Sequence, residues 1–166
     1  MTTQVYRVWI KASPEQIWAA ITDPEWTKRY AYGAPASYDL KPGGPFHMTA
    51  TEEMHESGRQ HGFSVPDTII DGEVVESDPP RRLVQTWRML MDPTTAAEPF
   101  TRLTYEIDEA KMQPGVHKLT LTHELVDAPA TAAMVAGTED SGAGGGWAWI
   151  LSDLKTLLET GKSFAE

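Results

Sequence analysis

The run from Gly146 to Gly161, GWAWILSDLKTLLETG, constrains this chain more than any other stretch. Trp147, Ile150, Leu151, Leu154, Leu157 and Leu158 recur at the three- and four-residue spacing that gathers side chains along one side of a helix. Trp149, Ser152, Asp153, Lys155, Thr156 and Glu159 fall elsewhere on the wheel. Gly144, Gly145 and Gly146 interrupt whatever precedes the run, and Gly161 suits a left-handed cap at its end. A long amphipathic helix needs a broad apolar surface to lie on, and the rest of the chain reads as that surface.

Residues 4 to 11, QVYRVWIK, alternate as a strand. Ser13-Pro14 then gives an N-cap followed by proline at the first helical turn, with Gln16 at capping-box spacing and Ile17, Trp18 and Ile21 as the apolar stripe. A second short helix, Pro24 to Arg29, starts at the cap Asp23. From Tyr38 onward the pattern is antiparallel strands cut by Pro/Gly turns: Pro45 to Thr51, Thr68 to Glu76, Arg82 to Met91, Thr101 to Glu109 and Val116 to Val126. Glu52 to Pro66 reads as a polar loop or an elongated hairpin, and Pro93 to Pro99 as a turn. Residues 128 to 146 form an Ala/Gly-rich connector with a short helix near Ala130 to Val135. Helices set beside a meandering sheet, with only turns or loops read between successive strands from Tyr38 onward, indicate an α+β architecture.

The length of 166 residues suits one domain over 1–166 with a single core. With 24 acidic against 14 basic residues the formal charge is −10, which disfavours nucleic acid and anionic lipid as partners. No apolar run is long enough for a membrane span, so membrane insertion is not expected. The start, MTTQVYRVWIKAS, lacks the form of a secretory signal, and the expected location is the cytoplasm. Absence of cysteine removes disulfides, thiolate catalysis and Cys-based zinc sites.

The segments ASPEQIWAAITDPEWTKRY (12–30), LKPGGPF (40–46), DGEVVESDPPRRLVQTW (71–87), LTLTHE (119–124) and GGWAWILSDLKTLLETG (145–161) together resemble the START/Bet v 1-like (SRPBCC) helix-grip superfamily. Within it the chain is similar to the bacterial branch related to the C-terminal domain of the heat-shock-protein-90 ATPase activator. The resemblance covers nearly the whole chain. It implies a curved antiparallel sheet wrapped around the long C-terminal helix, two short helices after the first strand, and an internal hydrophobic cavity. It also implies a range of activities, since the superfamily holds lipid carriers, hormone binders, polyketide cyclases and co-chaperone domains.

Strand alternation puts Leu83, Trp87, Met89 and Met91 on one face, Leu103, Tyr105 and Ile107 on another, and Leu119, Leu121 and Leu125 on a third. His117 and His123 fall in phase with those leucines and turn inward with them. The candidate ligand contacts are therefore Met48, Gln85, Trp87, Met89, Tyr105, His123, Trp147 and Leu151, with His47 as a further polar candidate. A structural role for His123, satisfied by backbone or water, competes with this reading.

Metal ligation by His55 and His61 with Glu52, Glu53 and Glu56 lacks a recognised spacing, and no metal or cofactor is expected. Ser141-Gly142 carries no Gly-x-Ser-x-Gly, and the glycines at 142 and 144 to 146 are followed by no Gly-Lys-Ser/Thr. Arg81-Arg82 reads as a charged turn. The leading expectation is a module that carries, sequesters or senses a small lipophilic or aromatic molecule, with Thr131 to Gly146 and Glu52 to Pro66 as mobile gates. Two alternatives stand beside it: a cyclase, dehydratase or hydrolase using His123 as acid or base, and a chaperone-modulating or other interaction module. A homodimer paired through a sheet edge is also open.

Overall fold

Alternation along the strands builds one curved, fully antiparallel sheet. The computed structural model describes residues 2–141 and 144–165, so Gly142, part of the glycine run considered above, lies outside the described residues. The strands are β1 (Thr3–Ile10), β2 (Ala36–Tyr38), β3 (Pro45–Thr49), β4 (Thr68–Asp78), β5 (Arg82–Met89), β6 (Thr101–Glu109) and β7 (His117–Glu124). They form a seven-stranded sheet in the order β1-β7-β6-β5-β4-β3-β2. Only the step from β1 to β2 leaves the meander, and helices α1 (Pro14–Thr22) and α2 (Pro24–Thr27) occupy it.

Both helices begin as their sequences dictate. The Ser13 side chain accepts from the Gln16 backbone N–H at 3.1 Å, and the Gln16 side chain returns a bond to the Ser13 N–H at 2.9 Å. Asp23 caps α2 by accepting from the Glu25 N–H. The sheet bends at irregularities between Met48 and Thr49 and between Val74 and Glu76. Gly72 adds to the bend: a Cβ there would stand 2.0 Å from the carbonyl oxygen of Thr86 on the next strand.

Helix α6 (Gly146–Thr160) lies on the inner face and ends at Gly161 with φ 83. Trp147, Leu151, Leu154 and Leu157 are buried, each contributing roughly 1.5–3 kcal/mol through the apolar surface it removes from water. Gly146 is needed where α6 meets α5 (Pro129–Ala136), because φ is +67 and a Cβ would stand 2.3 Å from the Val135 carbonyl oxygen. The polar side of α6 ties it to the first strand: Lys155 Nζ donates to the Trp9 carbonyl, and Glu159 accepts from the Lys11 N–H.

Two segments differ from the sequence expectation. Glu52 to Pro66 is neither a loop nor a hairpin, for it holds helix α3 (Glu52–His61), N-capped by Thr51 and closed by Gly62 at φ 79. Its signal is electrostatic rather than apolar, with Glu52 and Glu53 in the first turn, Arg59 and His61 in the last, and Arg59 bonded to Glu52 and Glu56. The segment after Asp92 is likewise a short helix, α4 (Pro93–Ala97), capped by the Asp92 side chain.

Candidate functional site

The inward residues of β5, β6 and β7 meet under α6 in the phase that alternation predicts. Gln85 stands opposite Leu103, Leu83 opposite Tyr105, and Leu103 opposite His123. Met48 of β3 faces the same side across Ile70 and Met89. His47, in the opposite phase of β3, is exposed on the outer face and does not belong to the group.

His123 is fully buried, at 0% exposure, and both of its ring nitrogens have protein partners. The Trp147 indole N–H donates to Nδ1 at 3.0 Å. Nε2 lies 2.7 Å from the Thr101 hydroxyl, whose own proton goes to the Trp87 carbonyl at 2.8 Å. An indole can only donate and the hydroxyl proton is already committed, so the ring is the neutral Nε2–H tautomer. Burial pulls its pKa down to about 4. Trp87 and Trp147 flank the imidazole, with ring centroids 5.2 and 5.9 Å away. The expectation that His123 orients a ligand or moves a proton is therefore corrected: Nδ1 is held from α6 and Nε2 from β6, so neither nitrogen is left for a ligand. His117 is similarly engaged, with Nδ1 2.7 Å from the Ala12 carbonyl oxygen.

Gln85 behaves differently. It too is 0% exposed, and its Oε1 accepts from the Tyr38 hydroxyl at 2.7 Å, but its Nε2 meets no acceptor among the described residues. Tyr38 sits on β2, three strands from β5, roughly 14 Å away on a flat sheet. The bend of β3 and β4 is what brings the two together.

Tyr30, Tyr38 and Tyr105 surround this position. Desolvation pushes the pKa of each phenol well up, and the Tyr105 phenol raises those of Tyr30 and Tyr38 further, which places all three around one region. The Tyr30 hydroxyl donates to the Ala20 carbonyl at 2.8 Å, whereas that of Tyr105 has no hydrogen-bond partner among the described residues. All three keep some accessible surface, as do Met48 and Met89. These half-buried tyrosines border the candidate cleft, in contrast to the closed packing of Leu103, Leu119, Leu121 and Trp87, while Gln85 itself is shut off from solvent. Of the expected contacts, Gln85 and Tyr105 belong to this group, Met48 and Met89 keep accessible surface on the far side of Trp87 along the sheet, and Trp87, His123, Trp147 and Leu151 are packed.

Tyr30 and Tyr38 were absent from the sequence-based set. The signal that could have found Tyr38 is its position between Ala36 and the Lys41-Pro42-Gly43-Gly44 turn, in phase with an inward alanine. Two open grooves, about 400 and 370 Å³, lie elsewhere: one on the outer face beside Arg82 and Arg102, the other between Ala136 and Gly145. Arg82 is held there by Glu76 and Glu106. His55 pairs with Asp67, and His61 bonds the Ser57 carbonyl of its own helix, so the two diverge.

Comparison with known proteins fits this geometry. The sequence model of the Activator of Hsp90 ATPase homolog 1-like protein family matches residues 11–159. The chain belongs to that family. No curated protein matches it. Among solved structures, it is similar to MLL2253 from Mesorhizobium loti, with a TM-score of 0.66, 18% identity and coverage of 95% of this chain and 96% of that one. PFC0360w, an HSP90 activator from Plasmodium falciparum, gives 0.56 and 22% identity over 99% and 92%. DynU16, a protein of the dynemicin biosynthetic locus, gives 0.66 and 19% over 98% and 49%. The chain thus spans about half of DynU16, and 63% of CalU16 from Micromonospora echinospora. At these identities the likeness shows the helix-grip fold. No helix among the described residues is long and apolar enough to cross a membrane.

Proposed function

We propose that the protein binds a small lipophilic or aromatic molecule on the inner face of the sheet beside α6, in a carrying, sequestering or sensing role. The observation that carries this reading is the buried Gln85 amide, with its Nε2 unpaired, among the half-buried and strongly desolvated Tyr30, Tyr38 and Tyr105. Affinity there comes from burying apolar ligand surface, at about 25 cal/mol per Å², with a few polar groups setting orientation. The structural neighbour from a biosynthetic locus for a small molecule supports the same reading. The cyclase-like alternative loses its acid–base candidate, because His123 is fully bonded within the protein.

A native mass spectrum of freshly purified protein, beside a denatured one, tests the proposal. A small-molecule adduct that disappears on denaturation is the expected result. An apo mass that stays unchanged on incubation with aromatic and fatty ligands would remove it, and the same spectrum reads monomer against dimer.

A chaperone-modulating role has one observation of its own. Trp149 lies between a tilted Tyr32 and an edge-on Phe164, with centroids 5.0 and 5.6 Å away, and the outer two rings are 51% and 46% exposed. Such an aromatic group suits a protein partner. Stimulation of an Hsp90 ATPase that is lost in Trp149→Ala is the expected result under this reading, and unchanged turnover on adding the protein would sink it.

A further inference from the structure

We infer that the cleft takes a neutral, ring-bearing ligand through a carbonyl oxygen, held by the Gln85 Nε2–H and the Tyr105 hydroxyl. This rests on the ligand-binding reading and specifies its chemistry. Buried donors in folded proteins are almost always paired, so a fully buried amide with an idle NH₂ is an unusual feature. The Tyr38 hydroxyl, by donating to Oε1, turns the NH₂ end of the amide away from itself.

The second donor is close by. Gln85 pairs with Leu103 and Tyr105 pairs with Leu83, so Gln85 and Tyr105 are diagonal neighbours on the inner face, about 7–8 Å apart at their backbones and within reach of long side chains. One acceptor atom between them can take a hydrogen bond from each. The phenol stays protonated through the neutral range because desolvation opposes its ionisation, so it remains a donor. A carbonyl oxygen, with two lone pairs and no proton, matches two converging donors. A carboxylate does not, since no Lys or Arg belongs to the described group of Tyr30, Tyr38, Gln85 and Tyr105 and a buried anion would stand uncompensated. The aromatic walls favour a flat, polarisable body behind the carbonyl.

Matched probes test this on the full chain: acetophenone against ethylbenzene, and 2-acetylnaphthalene against 2-ethylnaphthalene. Affinities come from calorimetry, and the Gln85 side-chain NH₂ is followed by ¹⁵N-resolved NMR. The ketone of at least one pair should bind about tenfold more tightly than its hydrocarbon, the difference expected from a well-made buried hydrogen bond. The Gln85 NH₂ resonance should move with the ketone alone. Gln85→Met should bring ketone and hydrocarbon within about twofold of each other, and Tyr105→Phe should reduce the preference about threefold. Tyr105→Phe keeps the ring and so keeps the test open if Gln85→Met misfolds.

Equal binding of ketone and hydrocarbon, with a still NH₂ resonance, would overturn the carbonyl inference and leave the ligand-binding reading standing. Preference for the alcohol 1-phenylethanol over acetophenone would also overturn it, by showing that the cleft offers an acceptor. Failure of every probe to bind the wild-type protein would take down both.

Discussion

Two polar side chains point into the inner face from the strands on either side of β6, and they meet opposite fates. His123 has a protein partner on each nitrogen and sits among close-packed tryptophans. Gln85, equally buried, has one end bonded and the other idle, and sits among tyrosines that keep accessible surface. A buried polar group that is fully satisfied fixes packing, because any rearrangement breaks several bonds at once in a medium of low dielectric. One that is half satisfied is a stability defect, retained where something other than folding uses it. On this contrast the β7 end of the face is the fastening and the β5–β2 end is the site.

The fastening should yield the largest effects. Trp147→Ala removes a buried indole and the donor to His123, and should lower unfolding free energy by about 3–5 kcal/mol in a denaturant titration. A loss under 1 kcal/mol would mean that α6 is held elsewhere. Acid should attack the same point. The folded-state pKa of His123, about 4, lies below the ordinary 6.5, so the unfolded chain binds the extra proton first. The contribution is therefore present in full above about pH 6.5 and is lost as pH falls toward 4, by about 3 kcal/mol in all. Histidine ring NMR shifts check this: His123 should remain neutral at pH 5, and a midpoint near 6.5 would break the contrast. Thr101→Val keeps shape but strips the acceptor for His123 and the donor to Trp87, which should cost about 1–3 kcal/mol.

Much of the fastening was legible in the sequence. Period-two alternation on β5, β6 and β7 gave the inward set, His123 included, except for Met91, which lies past the end of β5 and is exposed, and the apolar stripe of α6 gave its bounds to the residue at Gly161. The site was less legible because it depends on curvature. Tyr38 reaches Gln85 only across the twice-shifted register of β4 and past Gly72, and bulges leave little trace in hydropathy. Helix α3 escaped because charge pairs and caps hold it rather than an apolar stripe. Asp153 shows the same limit. The helical spacing of α6 puts it off the apolar stripe, yet it is 0% exposed and accepts from the Ala31 N–H, the Ser163 hydroxyl and the Phe164 N–H, partners that only the tertiary fold supplies.

The smallest expected stability change is the most discriminating. Gln85→Met keeps the length of the side chain and replaces its amide with an apolar end. It forfeits the bond from Tyr38 but also removes a buried donor that has no acceptor, and these two terms oppose each other. The net change in unfolding free energy should fall within about 1 kcal/mol of zero, with a slight gain as plausible on these terms as a slight loss. His123→Met, the matching change at the fastening, breaks two satisfied bonds and should be far more harmful. If denaturant midpoints put Gln85→Met alongside His123→Met, Gln85 is structural, and the distinction between fastening and site falls. If Gln85→Met is as stable as wild type while losing its preference for ketones, the idle amide belongs to binding rather than to the fold.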